Sequence, residues 1–222
     1  MKKRAFLFGT YDTALYGWTL TGWSLTDPEQ KTNYVEKPGG DGSWDLSTVM
    51  TDGLPRYKDR TLTVTLECSE GTREERQENI SYMANLLDGL VVNIVLPDYP
   101  SHYLTGRVHV AQEYNDLAHA AVTITAVCSP WLYRNTETVV TLTATSAVQE
   151  ATVKNSGRLA VLPKITVTGE NADVHISYGT AGISLSAGVY EWAWLVLTPG
   201  SHVLRYDGTG TVEIKYREAV LR

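Results

Sequence analysis

The chain is poor in cysteine, phenylalanine and methionine, with 2, 2 and 3 in 222 residues. Two cysteines cannot build the disulfide framework on which small secreted domains rely. Cys68 and Cys128 each end a strand-like run on its apolar face, which reads first as a small core hydrophobe and second as a disulfide partner. Long apolar runs are lacking as well. Ala5-Phe6-Leu7-Phe8 follows Met1-Lys2-Lys3-Arg4 in the manner of a signal peptide, but it stops at Gly9, short of the roughly seven residues such a segment needs. No stretch approaches the roughly 20 apolar residues of a membrane span. Folding in the cytoplasm is therefore expected, and the Asn79-Ile80-Ser81 sequon then carries no meaning.

Positive charge is not in surplus. Lys and Arg number 19 against 25 Asp and Glu, a formal charge of -6, which argues against a surface built to grip phosphates. Catalytic signatures are missing too. There is no G-x-S-x-G elbow. Pro38-Gly39-Gly40-Asp41-Gly42 lacks the Gly-Lys-Ser/Thr of a phosphate loop, and Gly208-Thr209-Gly210 falls between strands. His102, His109, His119, His175 and His202 show no ligand spacing. Neither a metal nor a cofactor is expected. Asp41 and Asp45 share one loop and are the carboxylate pair to test for acid–base work, since such a separation is set by the fold.

What the chain does contain is tyrosine and tryptophan, 13 and 6. Such amphipathic rings suit half-wet interfaces, or simply a β-rich protein. Residues 37–68 organise the N-terminal half. Leu62, Val64, Leu66 and Cys68 alternate with Thr61, Thr63, Thr65 and Glu67, the period of a half-buried strand. Before it, a connector of about twenty residues carries Trp44, Asp45, Leu46, Met50 and the turn Asp52-Gly53-Leu54-Pro55. Structureless connectors of that length are often functional. This one is expected either to dock on something or to fold back over its own sheet.

Upstream, residues 5–35 read as two or three short strands. Downstream, Thr72-Arg73-Glu74-Glu75 predicts a capping box opening a helix whose apolar face is Ile80, Met83, Ala84 and Leu87 and which Gly89 stops. Leu90 to Leu96 reads as a buried strand, followed by strands at 103–110 and 121–128. From about Arg134 the texture changes. Thr136 to Thr152 suits an edge strand or connector, and after it come short strands punctuated by Gly169, Gly179, Gly182, Gly188, Gly200, Gly208 and Gly210. Many short strands with regular turns indicate a β-sandwich. The fold class is mainly β, with domains at 1–133 and 134–222. Tyr190 to Leu197 is expected to be one strand, with Tyr190, Trp192 and Trp194 on one face. That face is either core or a platform for a glycan or partner protein.

These pieces resemble the distal tail proteins of siphophages and their prophage relatives. In the N-terminal half the resemblance rests on Gly40-Asp41-Gly42-Ser43-Trp44-Asp45-Leu46, on Tyr57-Lys58-Asp59-Arg60 leading into the next strand, and on the helix before Leu90. In the C-terminal half it rests on Asn155-Ser156-Gly157, residues 163–169, Leu197-Thr198-Pro199-Gly200-Ser201-His202 and the ending 208–218. The resemblance implies an N-terminal β-sandwich or split-barrel domain with one helix, assembling as a homohexameric ring, and a galectin-like C-terminal sandwich. It further implies a structural hub at the virion tail tip, not an enzyme, assembled in the host cytoplasm without a membrane. The partners would be the tail tube protein and the tail-tip baseplate protein, with DNA only as passing cargo. Asp41, Gly42, Trp44, Asp45, Leu46, Tyr57 and Arg60 are the candidate ring or partner contacts. Two other classes compete: a carbohydrate-binding protein, carried by Tyr190, Trp192 and Trp194, and a polysaccharide-degrading enzyme, carried by unplaced carboxylates.

Overall fold

The structure, a computed structural model, describes residues 5–51, 53–191 and 194–222. The chain divides into two compact units, Met1–Pro130 and Trp131–Arg222, where the sequence placed the change after 133.

The first unit contains β1 (Leu7–Phe8), β2 (Tyr11–Asp12), β3 (Thr19–Leu25), β4 (Tyr34–Glu36), β5 (Ser43–Asp45), β6 (Arg60–Cys68), α1 (Arg73–Leu87), β7 (Val91–Val95), β8 (His102–Asn115) and β9 (Ala120–Cys128). Seven of these strands form one antiparallel sheet in the order β2-β1-β7-β8-β9-β6-β3. The alternation read in the sequence is what the sheet uses. Leu62, Val64 and Leu66 of β6 are buried, and they pair with Ala126, Ile124 and Val122 of β9, which are buried too. The opposite face carries Thr63 beside Thr125 and Thr65 beside Thr123. Helix α1 passes from β6 over β9 and β8 to reach β7, resting on β8 and β9 with Ile80, Met83 and Leu87 buried.

The predicted capping box is present. The Glu75 amide donates to Thr72 Oγ1 at 3.2 Å, and the Thr72 amide donates to Glu75 Oε2 at 2.7 Å. Gly89, at φ +76°, turns the chain out of the helix where a side chain would be strained. One expectation needs correction here. Strand β7 is not buried throughout, because Leu90 and Val91 are exposed and Ile94 is its one fully buried residue. Its sequence looked continuously apolar although only one face meets the core.

Cys68 and Cys128 are both buried and unpaired. Cys128 pairs in register with Arg60, at the far end of the strand that Cys68 closes. Eight residues at about 3.3 Å each separate the thiols by about 26 Å, far beyond disulfide reach.

The second unit contains β10 (Leu132–Arg134), β11 (Thr138–Ala144), β12 (Gln149–Asn155), β13 (Lys164–Tyr178), β14 (Ala181–Ser186), β15 (Gly188–Tyr190), β16 (Gly200–Tyr216) and β17 (Ala219–Val220). Two long bent strands make both layers of its sandwich. The first half of β13 pairs β15 and the second half of β16, which pairs β11. The second half of β13 pairs β14 and the first half of β16, which pairs β12. The sequence divided each of these strands into two, and it read 136–152 as one edge strand or connector. Instead β11 and β12 lie in different layers. The corner falls where β13 slips register between Thr168 and Asp173. Gly208 sits opposite at φ +115°, and a Cβ there would lie 2.1 Å from the Asp173 carbonyl oxygen. Only glycine allows the strands to fold over so closely. Between the layers lie Val153, Val174, Ile176, Leu204, Val212 and Ile214, all buried.

Asn155-Ser156-Gly157 and the terminal Glu218 close this unit. Asn155 Nδ2 donates to the carbonyls of Leu159 and Leu197, each at 2.8 Å. The buried Glu218 carboxylate accepts from the Ser156 amide at 2.9 Å and from Arg134 Nη1 at 2.9 Å. A buried carboxylate paired and hydrogen-bonded in this way holds the termini of the sandwich together.

Candidate functional site: an exposed two-stranded arm

The chain between β3 and β6 leaves the sheet as an arm. At its root the Arg60 side chain is buried and donates from Nε to the Thr26 carbonyl at 2.7 Å. The Thr61 amide donates to Thr26 Oγ1 at 2.9 Å. Gln30 bridges Tyr57, the Lys31 amide donates to the Arg56 carbonyl at 2.8 Å, and the Lys58 amide donates to the Glu29 carbonyl at 2.8 Å. An ion pair between Lys58 and Glu29 reinforces the same rung.

Beyond the root, β4 and β5 pair with Tyr34 opposite Asp45, Val35 opposite Trp44 and Glu36 opposite Ser43. Asp41 and Gly42 form the tip, where Lys37 donates its amide to the Gly42 carbonyl at 3.3 Å. The expectation of a structureless connector is thus corrected, because the glycine run is the turn of a hairpin. Leu46 donates its amide to Asn33 at 2.8 Å, extending the ladder.

Every residue of β4 and β5 is exposed, on both faces of the ribbon. Trp44 is 50% exposed, Tyr34 62%, Val49 65% and Met50 94%, with Val35 and Leu46 exposed beside them. An isolated two-stranded ribbon is marginal in water. This one leaves its apolar side chains wet, and its own sheet does not cover them.

The sequence-predicted residues therefore separate. Asp41, Gly42, Trp44, Asp45 and Leu46 lie together on the arm, and Tyr57 lies half-buried at its root. Arg60 is corrected: it is a buried anchor and presents no contact surface. Tyr34, Val35 and Val49 were not among the predicted contacts, though aromatic and aliphatic residues flanking a Gly-rich turn were the available signal. Asp41 and Asp45 both lie on the arm. Both are exposed, and the Ser47 hydroxyl and amide hold the Asp45 carboxyl below the usual carboxylate range, which keeps it ionised rather than proton-donating.

The second candidate, in the sandwich, does not form as predicted. Strand β15 ends at Tyr190, Trp194 lies in a turn, and Leu197 makes an isolated bridge to Val161. The described residues 190–191 and 194–197 therefore do not form one continuous strand. Trp194 is half-buried against the core, and the Tyr190 hydroxyl donates to the Ser186 carbonyl at 2.9 Å. Trp192 lies outside the described residues. Among the described residues no group of three or more His, Cys, Asp or Glu gathers at metal-binding distance, and no helix is long and apolar enough to cross a membrane.

No protein-family model and no curated protein matches this chain. Among solved structures it is similar to the crystal structure of the phage SPP1 Dit (gp 19.1) protein, described as a paradigm of the hub adsorption apparatus in phages infecting Gram-positive bacteria. The TM-score is 0.70 at 17% identity, over 96% of this chain and 98% of that one. Across essentially its whole length, the chain has the fold of that Dit protein.

Proposed function

We propose that this chain is a structural distal tail protein of a siphophage or prophage. In this reading its first unit assembles into a hexameric ring joining the tail tube to the tail-tip complex, with an open channel for DNA. The observation that carries the reading is the arm: a ribbon exposed on both faces, with Trp44, Tyr34, Val35 and Met50 in water. An arm is a different surface from the body it docks on. Such head-to-tail contacts close into rings when the rotation permits.

Charge supports the same reading. Residues 1–130 hold 11 Lys and Arg against 17 Asp and Glu, and residues 131–222 hold 8 against 8. The whole charge of -6 thus belongs to the ring-forming unit, which favours DNA as cargo over DNA as a bound ligand. A ring hub needs no catalytic group and no cofactor. Assembly in the host cytoplasm and residence at the virion tail tip follow from the reading. The glycan-binding alternative has less support, since Tyr190 spends its hydroxyl on Ser186 and Trp194 packs on the core.

Native mass spectrometry with negative-stain images of the full-length protein tests the proposal. The expected result is sixfold rings, retained by a chain ending near residue 130 and absent from a 131–222 fragment. A full-length protein that stays monomeric at high micromolar concentration, or rings made by the C-terminal fragment alone, would overturn it.

A further inference from the structure

Two leucines at one end of the first unit are held in water by ordered loops. Leu117 is 91% exposed and Leu15 is 81% exposed. Leu117 tops the β8–β9 turn, where the Asp116 carboxylate accepts from the amides of Ala118 at 2.8 Å and His119 at 2.7 Å. Leu15 sits in a loop closed by the Ala14 amide donating to Asp12 Oδ1 at 2.9 Å and the Trp18 amide donating to the Thr13 carbonyl at 3.1 Å. Helix α1 reaches both loops: Asn79 Nδ2 donates to the Tyr16 carbonyl at 3.2 Å, and the buried Arg76 holds the β8–β9 turn. Its Nη2 donates to the Asp116 carbonyl at 2.8 Å and its Nη1 to the Gly71 carbonyl at 2.7 Å, and it lines the same cleft as Leu15 and Gly71.

A single exposed leucine needs no explanation. Two on adjoining loops already fixed by hydrogen bonds lose little further freedom on docking, and ordering is a large part of what association costs. The surroundings are acidic. Glu70, Glu74, Glu75 and Asp116 are exposed, against one exposed cation, Arg73, and one buried one, Arg76. That charge disfavours nucleic-acid phosphates, anionic lipid and the same face of a second copy. We propose that this end of the first unit docks on a different protein, through apolar sockets rimmed by Lys or Arg on the partner. The proposal rests on the hub reading, in which that partner is a neighbouring ring of the tail. Two leucines bury too little for a stable contact alone. Six copies in one ring engage together, and avidity multiplies a weak contact.

Leu117→Cys supplies the test, because Cys68 and Cys128 are buried and position 117 then carries the exposed thiol. Tail particles assembled with this variant are treated with a short thiol-to-amine cross-linker and digested for mass spectrometry. The expected product joins position 117 to a lysine of another tail protein. Cross-links to copies of this chain alone, or none at all, overturn the proposal. A Leu15→Asp, Leu117→Asp double variant is expected to form rings at the wild-type concentration yet fail to complete tails, and normal tails from it would also overturn the proposal. Wild-type rings with no cross-link from position 117 overturn the docking surface and leave the hub reading standing, whereas a wild-type chain that forms no ring overturns the hub reading and this proposal with it.

Discussion

Replacing Trp44 by alanine should break the proposed ring while sparing the fold of the protomer. Trp44 stands on β5 opposite Val35, half-exposed, on a ribbon whose root is fastened well away from it. A buried aromatic side chain covers about 150–250 Å², so roughly 100 Å² of Trp44 remains to be covered by a neighbour. At about 25 cal/mol per Å² that area is worth about 2–3 kcal/mol per contact. Each arm contact should therefore weaken by about 30- to 150-fold, at 1.4 kcal/mol per factor of ten. In the separated protomer the truncation leaves no core cavity, so the melting temperature should stay within about 2 °C of wild type, as for other exposed positions. Light scattering across a dilution series, with calorimetry on the dissociated protein, reads both quantities. Rings that persist at wild-type dilution, combined with a clearly lowered protomer melting temperature, would refute the reasoning. That outcome would mean Trp44 packs within its own chain.

Other consequences can be measured in the same protein. Gly208→Ala forces a Cβ to within 2.1 Å of the Asp173 carbonyl at φ +115°. Strain of at least about 1–3 kcal/mol should lower the sandwich's melting temperature by about 5 °C or more, and an unchanged value would disprove the corner. Burial pushes the Cys128 thiol up to about 12. The unfolded thiol ionises near its ordinary value of about 8.5 while the folded one stays protonated. Stability should therefore be unaffected by this group below about pH 8 and fall as pH rises from there towards 12, a decline that Cys128→Ala should lessen. Reductant and chelator should each leave the melting temperature unchanged, since the two thiols lie at opposite ends of the sheet; a drop of several degrees with either would contradict this. Thr72→Ala removes half of the capping box and should cost about 1 kcal/mol, read by denaturant unfolding.

Local chemistry was enough for several of these features. The helix from Arg73 to Leu87 is legible because its box and its apolar face involve residues three or four apart, whatever surrounds them. Strands β6 and β9 are legible because a period of two assigns faces without any partner, and that also buried Cys68 and Cys128. The turn residues Asp41 and Gly42 and the neighbouring Trp44 mark the arm's tip in the same local way. Tertiary structure decided the rest. A period of two cannot say whether two runs are one strand, so β13 and β16 emerged only where Gly208 and the slip at Thr168 let the sheet fold over itself. Nor can it say which face is wet. Tyr190 and Trp194 both turned against the core, and Arg60 went inside, where its Nε donates to the Thr26 carbonyl. Exposure is a property of what packs alongside a residue, and only the folded chain could leave the arm bare on both faces.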